Sequence, residues 1–307
     1  MATARAGADG RRTVSNDIVI GCIGLGVMGE PICANLVRKS GCRVRGFDLR
    51  EEPLARLAEQ GLEAARSAED AARGAAVVFL SLPGGPELAA VGERLLGAMG
   101  QGTVLVDLTT APVDLTRDLA ARFATNGIAY ADAPVARTRF AAERGELCVM
   151  VGADAPTFAR IERYLRCFAS DVLHCGEVGC GQVVKLMNNM VLFEIGGAIA
   201  EALAIGRQSG VAPEVLLDAL TQGSADSFAL RNHARNAMLP RSYPERAFST
   251  RYALKDLEYA LALAEQAGVD APGARLVRER FRRAIEAGDR DRYWPVIAEH
   301  IARERDS

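Results

Sequence analysis

Short runs of Val, Ile and other apolar residues alternate with longer amphipathic runs through the first half of the chain. The short runs predict strands at 18–23, 43–47, 77–80, 104–108 and 128–132, with less regular ones at 148–151 and 172–174. The amphipathic runs predict helices at 31–40, 53–60, 86–98 and 112–126. Each of these begins at a proline, which suits the first turn of a helix. Strands that alternate with helices predict a parallel sheet with helices on both faces, a doubly wound α/β domain.

The pattern changes near Gly179. Helical periodicity continues at 182–209, 212–221, 252–267 and 271–287, and no strand alternation is clear. We therefore predict two domains, an α/β domain at 17–178 and an all-helical domain at 179–307. The second domain is expected to close the cleft of the first, to bind substrate and to support dimerisation.

A glycine-rich turn follows the first predicted strand. Gly24-Leu25-Gly26-Val27-Met28-Gly29 has the spacing Gly-x-Gly-x-x-Gly between a strand and a helix, where such a turn holds the pyrophosphate of a dinucleotide. Asp48 ends the second strand, where a carboxylate accepts hydrogen bonds from the adenine ribose. These features predict a Rossmann-type domain that binds NAD. NADP is the less favoured cofactor because Asp48 repels a 2′-phosphate, although Arg50 offers an alternative partner for that phosphate.

The composition argues against several function classes. The 307 residues carry a formal net charge of −2, which gives no support to a nucleic-acid or membrane partner. The 7 Cys and 3 His lack metal-ligand spacing, so no metal site is predicted. We find no apolar run of about 18 residues, and residues 1–16 lack the apolar core of a secretory signal. A cytoplasmic protein is therefore expected.

A second polar cluster lies near the start of the long predicted helix at 182–209. Lys185 precedes Asn188 and Asn189 by three and four residues, so the three side chains share one helix face. An amine on this otherwise apolar face can exchange a proton with a substrate, while a neighbouring amide orients a substrate oxygen. The same spacing also fits a surface lysine beside two polar residues, so spacing alone leaves both interpretations open.

Several motifs in order make the chain resemble the β-hydroxyacid dehydrogenase family over roughly residues 17–300. The glycine turn with Pro31 and Asn35 is similar to the family's cofactor segment. Leu82-Pro83 and Asp107-Leu108-Thr109-Thr110 resemble two loops over the nicotinamide half of the cofactor. Gly179-x-Gly181-x-x-x-Lys185-x-x-Asn188-Asn189 resembles the catalytic helix, and Lys255-Asp256-Leu257 resembles a segment whose Lys lies near the nicotinamide.

The resemblance implies roles for these residues. Lys185 becomes the proton-transfer group, with Asn189 beside it. Cofactor contacts are implied at Leu82, Pro83, Thr110 and Lys255, in addition to the glycine turn and Asp48.

The substrate loop departs from the usual family pattern. The family reads Asp-Ala-Pro-Val-Ser-Gly-Gly, whereas this chain reads Asp132-Ala133-Pro134-Val135-Ala136-Arg137-Thr138. A similar loop with Arg occurs in sulfolactaldehyde reductases of the family, where the Arg meets a sulfonate. Arg137, Thr138 and Asn188 are therefore expected to bind the acid group of the substrate, with Arg137 as a buried guanidinium that has no acid beside it in the loop. Leu192 argues against a sulfonate, since those enzymes carry a Ser there.

The resemblance implies an NAD-dependent oxidoreductase that interconverts a short β-hydroxy acid and its semialdehyde, assembled as a homodimer or homotetramer. A sulfolactaldehyde reductase-type enzyme remains an alternative. An NADP-dependent imine reductase-like enzyme generally lacks Lys at this position, and a non-catalytic dinucleotide-binding module need not keep it. A decarboxylating sugar-phosphate dehydrogenase would have a much longer helical region.

Overall fold

The computed structural model describes residues 18–245 and 247–301, so the expectation for residues 1–16 lies outside it. Within the described residues the chain divides into two compact units. The first, here called the sheet unit, contains 18–109 and Arg117–Val178. The second, the helical unit, contains Thr110–Thr116 and 179–301. The division after Val178 falls where the sequence pattern changes, whereas the assignment of Thr110–Thr116 to the helical unit was not anticipated.

The sheet unit is built on a sheet of nine strands among the described residues. The strands are β1 (Val19–Ile23), β2 (Arg43–Phe47), β3 (Glu63–Ala64), β4 (Val77–Leu80), β5 (Val104–Asp107), β6 (Ala129–Asp132), β7 (Val135–Ala136), β8 (Leu147–Gly152) and β9 (Ala169–Gly176). Their order is β3-β2-β1-β4-β5-β6-β8-β7, with β9 also paired to β8. The chain reverses its direction across the sheet after β3, when it crosses to β4 beside β1. The carboxyl ends of β1 and β4 thus flank the switch point at which such sheets bind ligands.

The parallel arrangement is confirmed for β1 to β6, where every pairing is parallel. Central strands β1, β4 and β5 are buried on both faces, which explains their continuous apolar sequences. Beyond β6 the sheet is mixed, because β8 runs antiparallel to both β6 and β7 but parallel to β9. The short β7 leads to α6 and back into β8, and this return reverses the strand direction.

Helices cover the strands of this unit. They are α1 (Gly29–Lys39), α2 (Glu51–Ala58), α3 (Ala68–Ala72), α4 (Gly85–Leu96), α5 (Val113–Ala124), α6 (Arg139–Arg144) and α7 (Ala155–Leu165). Sequence periodicity missed α3, α6 and α7. The first two are too short for an apolar repeat to emerge. The third has a local signal that was overlooked, because Asp154 accepts a hydrogen bond from Thr157 N at 2.7 Å as an N-cap, with Pro156 in the first turn.

The helical unit contains four long α-helices, a π-helix and short terminal turns within its described residues. These are α8 (Cys180–Gln208), α9 (Pro213–Gln222), the π-helix Ala229–Met238, α10 (Thr250–Gln266), α11 (Pro272–Glu286), the 3₁₀ turn Trp294–Ile297 and α12 (Ala298–Ile301). The core centres on Trp294, which meets Phe193 edge-on at 5.3 Å between ring centroids. Phe281 packs against Phe193 in the same way at 5.2 Å. This aromatic cluster fixes α8 against α11.

By length and apolar composition α8 would be long enough to cross a membrane, and it is the one such helix among the described residues. Its apolar side includes Phe193, Ile199 and Leu203, which lie in the aromatic core of the helical unit. A helix that spans a membrane also needs a uniformly apolar surface toward the lipid. Helix α8 does not have one, because Glu194, Glu201 and Arg207 lie along it. The helix has the character of a core helix in a globular unit.

Candidate active site

The glycine turn joins β1 to α1 and has the conformation that the motif requires. Gly24 has φ +86°, and a Cβ there would collide with the backbone oxygen of Ser81. A Cβ on Gly29 would collide with Gly24 O, so this glycine allows the helix to pack against the turn. Gly26 differs, because a Cβ there would meet no atom within 4 Å. The open space at Gly26, beside the N-terminus of α1, fits the close approach of a pyrophosphate.

Asp48 lies at the carboxyl end of β2 and is bound to the glycine turn. Its Oδ2 accepts a hydrogen bond from Leu25 N at 2.6 Å, and its Oδ1 accepts from Arg50 N at 2.9 Å. The Arg50 guanidinium turns back onto the same carboxylate, with Nε 3.2 Å from Oδ1. Leu25 is fully buried, while Val27 is exposed and Met28 precedes α1. The Arg50 side chain thus neutralises Asp48 in this structure and does not stand apart as an independent phosphate ligand.

This arrangement leads us to expect better catalytic efficiency with NAD than with NADP. A ribose hydroxyl can donate to Asp48, whereas a 2′-phosphate would meet a carboxylate already committed to two backbone amides. The measurement is kcat/KM for both cofactors on one substrate. Asp48→Ala should reduce the ratio of kcat/KM with NAD to kcat/KM with NADP, and Arg50→Ala should increase or preserve that ratio. A preference for NADP of about tenfold or more, equivalent to about 1.4 kcal/mol, would show that Arg50 decides the choice.

Leu82 and Pro83 follow β4, at the carboxyl edge of the sheet. Leu82 N donates to Thr109 Oγ1 at 3.1 Å, which ties the loop after β4 to the loop after β5. Thr109 is buried, while Leu82 is half-buried and Pro83 is exposed. Both loops therefore lie at the edge where parallel sheets bind ligands, although a contact of Leu82 or Pro83 with the cofactor stays a prediction.

A buried carboxyl supports the second of these loops. Asp107 is fully buried at the end of β5, where Oδ1 accepts from Thr109 N at 2.9 Å and Oδ2 accepts from the Tyr130 hydroxyl at 3.1 Å. Asp132 faces it in register on β6. Burial raises the pKa of Asp107 to about 7, and the charge of Asp132 acts in the same direction. The sequence places Asp107 in a motif, but its burial has no local signal.

Lys185 lies on α8 within a buried polar chain of the helical unit. It is 8% exposed, and its Nζ donates to Asn189 Oδ1 at 3.1 Å. Asn189 is fixed from the other side, because its Nδ2 donates to Asp256 Oδ2 at 2.7 Å. Asn188 is exposed and donates to the same Asn189 oxygen at 3.0 Å. The interpretation of Lys185 as an exposed surface lysine is therefore wrong.

Asp256 belongs to the same buried polar chain, through a contact that was not predicted from the sequence. It is 3% exposed on α10 and lies between the two lysines, with Oδ2 bonded to Asn189 and Oδ1 3.1 Å from Lys255 Nζ. A buried carboxylate needs such partners. The contact between Asn189 and Asp256 cannot be predicted from the local sequence, because 67 residues separate the pair. The one available signal is that Asp256 follows Lys255 in the motif.

The ammonium group of Lys255 contacts a backbone carbonyl, a carboxylate and an aromatic ring. Its Nζ donates to Thr110 O at 3.0 Å, lies beside Asp256 and stands over the ring of Tyr259 at 5.2 Å. These contacts lie within the helical unit. These contacts fix the position of the amine, and the predicted contact of Lys255 with the cofactor stays a prediction.

The expectation for the Arg137 side chain needs correction. Arg137 is not a buried guanidinium without an acid partner: its side chain is 39% exposed and its NH2 lies 2.7 Å from Asp171 Oδ2. Its NH1 also donates to Glu146 O at 2.6 Å and to Ser170 Oγ at 2.7 Å. Sequence distance hid Asp171, which is 34 residues away on β9. The guanidinium thus joins β9 to the start of β8.

The backbone of Arg137 is also unusual. Its φ of +86° lies in the left-handed region, and the usual family loop has Gly at this position. Thr138 follows it as the N-cap of α6, where Oγ1 accepts from Ala141 N at 3.3 Å. The loop therefore keeps a glycine-like backbone shape while its side chains serve the loop's own structure. Substrate binding by Thr138 and Asn188 stays a prediction.

The described residues contain no group of three or more His, Cys, Asp or Glu side chains arranged to hold a metal ion.

Comparisons with known proteins agree with this geometry. Residues 19–176 match the family described as the NAD binding domain of 6-phosphogluconate dehydrogenase, and residues 179–294 match the NAD-binding family of NADP-dependent 3-hydroxyisobutyrate dehydrogenase. The chain is 32% identical over 283 residues to 2-(hydroxymethyl)glutarate dehydrogenase of Eubacterium barkeri, covering 91% of this chain and 93% of that protein. The chain belongs to the β-hydroxyacid dehydrogenase family.

Two further relatives support this assignment. The 3-hydroxyisobutyrate dehydrogenase of Pseudomonas aeruginosa is 34% identical over 270 residues, covering 85% of this chain and 90% of that protein. The Mycobacterium tuberculosis 3-hydroxyisobutyrate dehydrogenase solved with L-serine has a TM-score of 0.85 at 30% identity, covering 92% of this chain and 99% of that one. The predicted fold, a Rossmann-type domain followed by a helical domain, is confirmed. The protein is an NAD(P)-dependent oxidoreductase of the hydroxyacid dehydrogenase class.

Proposed function

We propose that this enzyme interconverts a short β-hydroxy acid and its semialdehyde with NAD, and that Lys185 is the general acid and base. The observation that carries the proposal is the buried amine of Lys185, held by an Asn189 side chain that Asp256 fixes in turn. Any buried amine needs a hydrogen-bond acceptor, but a proton-transfer group needs more than that. Its position must be maintained while its charge changes.

The names of the relatives support a specific substrate class. The compounds in those names are 3-hydroxyisobutyrate and 2-(hydroxymethyl)glutarate, and L-serine is present in the M. tuberculosis structure. All three contain a primary alcohol on the carbon next to the one that carries the carboxylate, HOCH₂–CH(R)–COO⁻. We propose this unit as the substrate of the present enzyme, with R undetermined by the family.

Lys185 transfers the proton of the substrate alcohol, and Asn189 holds Lys185 in position. In oxidation the Lys185 amine accepts the hydroxyl proton, and in reduction its ammonium group returns the proton to the forming alkoxide oxygen. Asn189 Oδ1 keeps the Nζ in place in both directions, because it accepts a hydrogen bond from either form of the amine. When bound, the nicotinamide supplies the hydride chemistry. The glycine turn and Asp48 would hold the dinucleotide through its pyrophosphate and ribose.

For the acid group we propose Asn188 and the loop that contains Arg137 and Thr138. Asn188 is exposed one residue before Asn189, so its amide is available at the surface of α8. The loop contributes through the backbone shape that Arg137 maintains at φ +86°. The sulfonate alternative depended on the Arg137 guanidinium, and the pairing of that group with Asp171 counts against it.

A cytoplasmic homodimer or homotetramer remains our proposal for the assembled enzyme.

The test of the substrate class is a panel of hydroxy acids assayed by nicotinamide absorbance. We expect turnover with 3-hydroxyisobutyrate, 2-(hydroxymethyl)glutarate or L-serine, and much less with the corresponding methyl esters. Activity confined to sulfolactaldehyde would favour the sulfonate alternative, and reduction of a cyclic imine with NADPH alone would favour the imine reductase. Binding of NADH without turnover of any substrate in the panel would favour the non-catalytic module.

The same panel decides the role of the Arg137 side chain. Because Arg137 is paired with Asp171 on the surface of the sheet unit, we expect Arg137→Ala to lower kcat/KM by no more than about fivefold, since it disturbs the loop without removing a contact to the substrate. The loss should be equal for acid and ester, and Asp171→Asn should reproduce it. A loss of roughly 30-fold on the acid alone would instead identify the guanidinium as the ligand of the substrate anion.

A further inference from the structure

A single peptide group in the helical unit is bonded on both sides by side chains. Lys255 Nζ donates to Thr110 O at 3.0 Å, and Ala111 N donates to Gln182 Oε1 at 3.2 Å. The Thr110 carbonyl and the Ala111 N–H belong to one planar amide. Two bonds of opposite polarity therefore fix the rotation of that amide, and we name Gln182 and Lys255 the peptide clamp.

Each half of the peptide clamp is itself held. Gln182 is fully buried on α8 and shares a helix face with Lys185 and Asn189, at spacings of three and seven residues. Lys255 lies on α10 between the carboxylate of Asp256 and the ring of Tyr259. The clamp and the proton-transfer group are consequently parts of one polar network, Lys255–Asp256–Asn189–Lys185.

The N–H group that the clamp holds is buried. Ala111 is fully buried, so its N–H needs a protein acceptor. Two residues later, Val113 is buried in an apolar cluster with Leu186 of α8 and Ala260 of α10. The apolar contact anchors Thr110–Thr116 to the helical unit, and the clamp then selects the orientation of its first peptide group.

We infer that Gln182 and Lys255 are positioning residues for the cofactor, acting through the Thr110 peptide. Thr110 is the residue for which a cofactor contact is predicted, and it follows directly on the loop in which Thr109 bonds Leu82. Lys255 can thus act on the dinucleotide through the backbone carbonyl of Thr110, in addition to the contact that the family resemblance implies. The inference rests on the cofactor class of the enzyme and not on the identity of its substrate.

The test is a double-mutant cycle on NADH affinity, measured by the fluorescence of the bound nucleotide. Gln182→Met removes the acceptor and Lys255→Met removes the donor, each with a side chain of similar length. We expect each variant to weaken NADH binding about tenfold, and the double variant to be no more than about threefold weaker than either one. Such non-additivity follows because both side chains act on one amide. Turnover is not the readout, since Lys255→Met also removes the cation beside Asp256.

Two further variants and one further measurement complete the experiment. Gln182→Glu keeps an acceptor for Ala111 N and should restore NADH affinity to near the wild-type value, whereas Gln208→Met, an exposed glutamine on the same helix, should leave it unchanged. Hydrogen–deuterium exchange of the peptide that covers 110–112 should accelerate in the cofactor-free Gln182→Met and Lys255→Met proteins.

Additive losses, or NADH affinity within about twofold of wild type in both single variants, would overturn the inference. If Gln182→Met does not fold, the affinity and amide exchange of Lys255→Met decide the question alone. Failure of every hydroxy acid as a substrate would refute the proposed function but would leave these binding measurements intact.

Discussion

Replacement of Lys185 by Ala is expected to lower turnover by about 10²–10⁴-fold, the usual contribution of a positioned acid–base group. The affinity for NADH should remain within about threefold of wild type, because the glycine turn and Asp48, which we propose hold the dinucleotide, belong to the sheet unit, whereas Lys185 belongs to the helical unit. Single-turnover kinetics with a saturating hydroxy acid and NAD would separate the chemical step from product release.

Lys185→Arg is the matched control for this prediction. It keeps a positive charge that can hydrogen-bond Asn189, but a guanidinium does not release its proton at physiological pH. If Lys185 exchanges a proton, Arg should be nearly as inactive as Ala. Recovery of most of the activity by Arg would mean that only charge is needed there, and turnover of Lys185→Ala within threefold of wild type would make Lys185 a structural residue.

Asp107→Asn is expected to stabilise the protein progressively as the pH rises from about 4 to about 7. Burial moves the pKa of Asp107 from 3.8 to about 7 in the folded state. Between these values the folded protein keeps a proton that the unfolded chain releases, so this group's contribution to stability is complete below pH 3.8 and is lost as the pH rises through 7. At ~1.4 kcal/mol per pKa unit, the difference between variant and wild type should grow by on the order of 4 kcal/mol.

An asparagine can take over the hydrogen bonds of Asp107. Its Oδ1 can accept from Thr109 N, and its Nδ2 can donate to the Tyr130 hydroxyl, which otherwise donates to the carboxylate. The free energy of unfolding should be measured by denaturant titration at pH 4 and pH 8. Taking the difference between the two proteins removes the contributions of other titrating groups, such as His233, whose pKa burial lowers to about 4.

Asp114→Asn removes an exposed carboxyl and provides the control for the pH comparison. The free energy of unfolding of this variant should stay within about 0.5 kcal/mol of the wild-type value at both pH values, as for most surface substitutions. A pH-independent difference between Asp107→Asn and wild type would contradict the prediction, because it would mean that Asp107 is ionised in the folded protein throughout this range.

The parts of the site that sequence predicted are those set by local geometry. A strand, a turn that demands Gly24, and a helix start at Gly29 follow each other within a few residues, so their chemistry can be read along the chain. The same holds for Lys185 and Asn189, which one turn of helix brings together. Regular periodicity likewise located the long strands and helices, with boundaries that differ from the structure by a few residues.

The parts that sequence did not predict depend on contacts between distant segments. Asp256 reaches Asn189 from 67 residues away, and Gln182 reaches Ala111 across 71 residues. Asp171 meets Arg137 because β7, which ends just before Arg137, pairs with β8, and β8 pairs in turn with β9. No local pattern of charge or hydrophobicity specifies which of many acids will meet a given cation. The expectation that Arg137 is buried and has no acid partner was wrong for this reason, since only acids within the loop were considered.

The interleaving of the two units along the chain limits how this protein can be recombined. A fragment that starts at Gly179 would lack Val113, which fills an apolar gap between Leu186 and Ala260, and it would leave the Gln182 amide without Ala111. In a chimera that joins 1–178 of this protein to the helices of a relative, segment 110–116 would come from this protein and would pack against helices of a different sequence. Chimeras between members of this family should therefore exchange 110–116 together with the helices, because the unit to be exchanged is discontinuous in sequence.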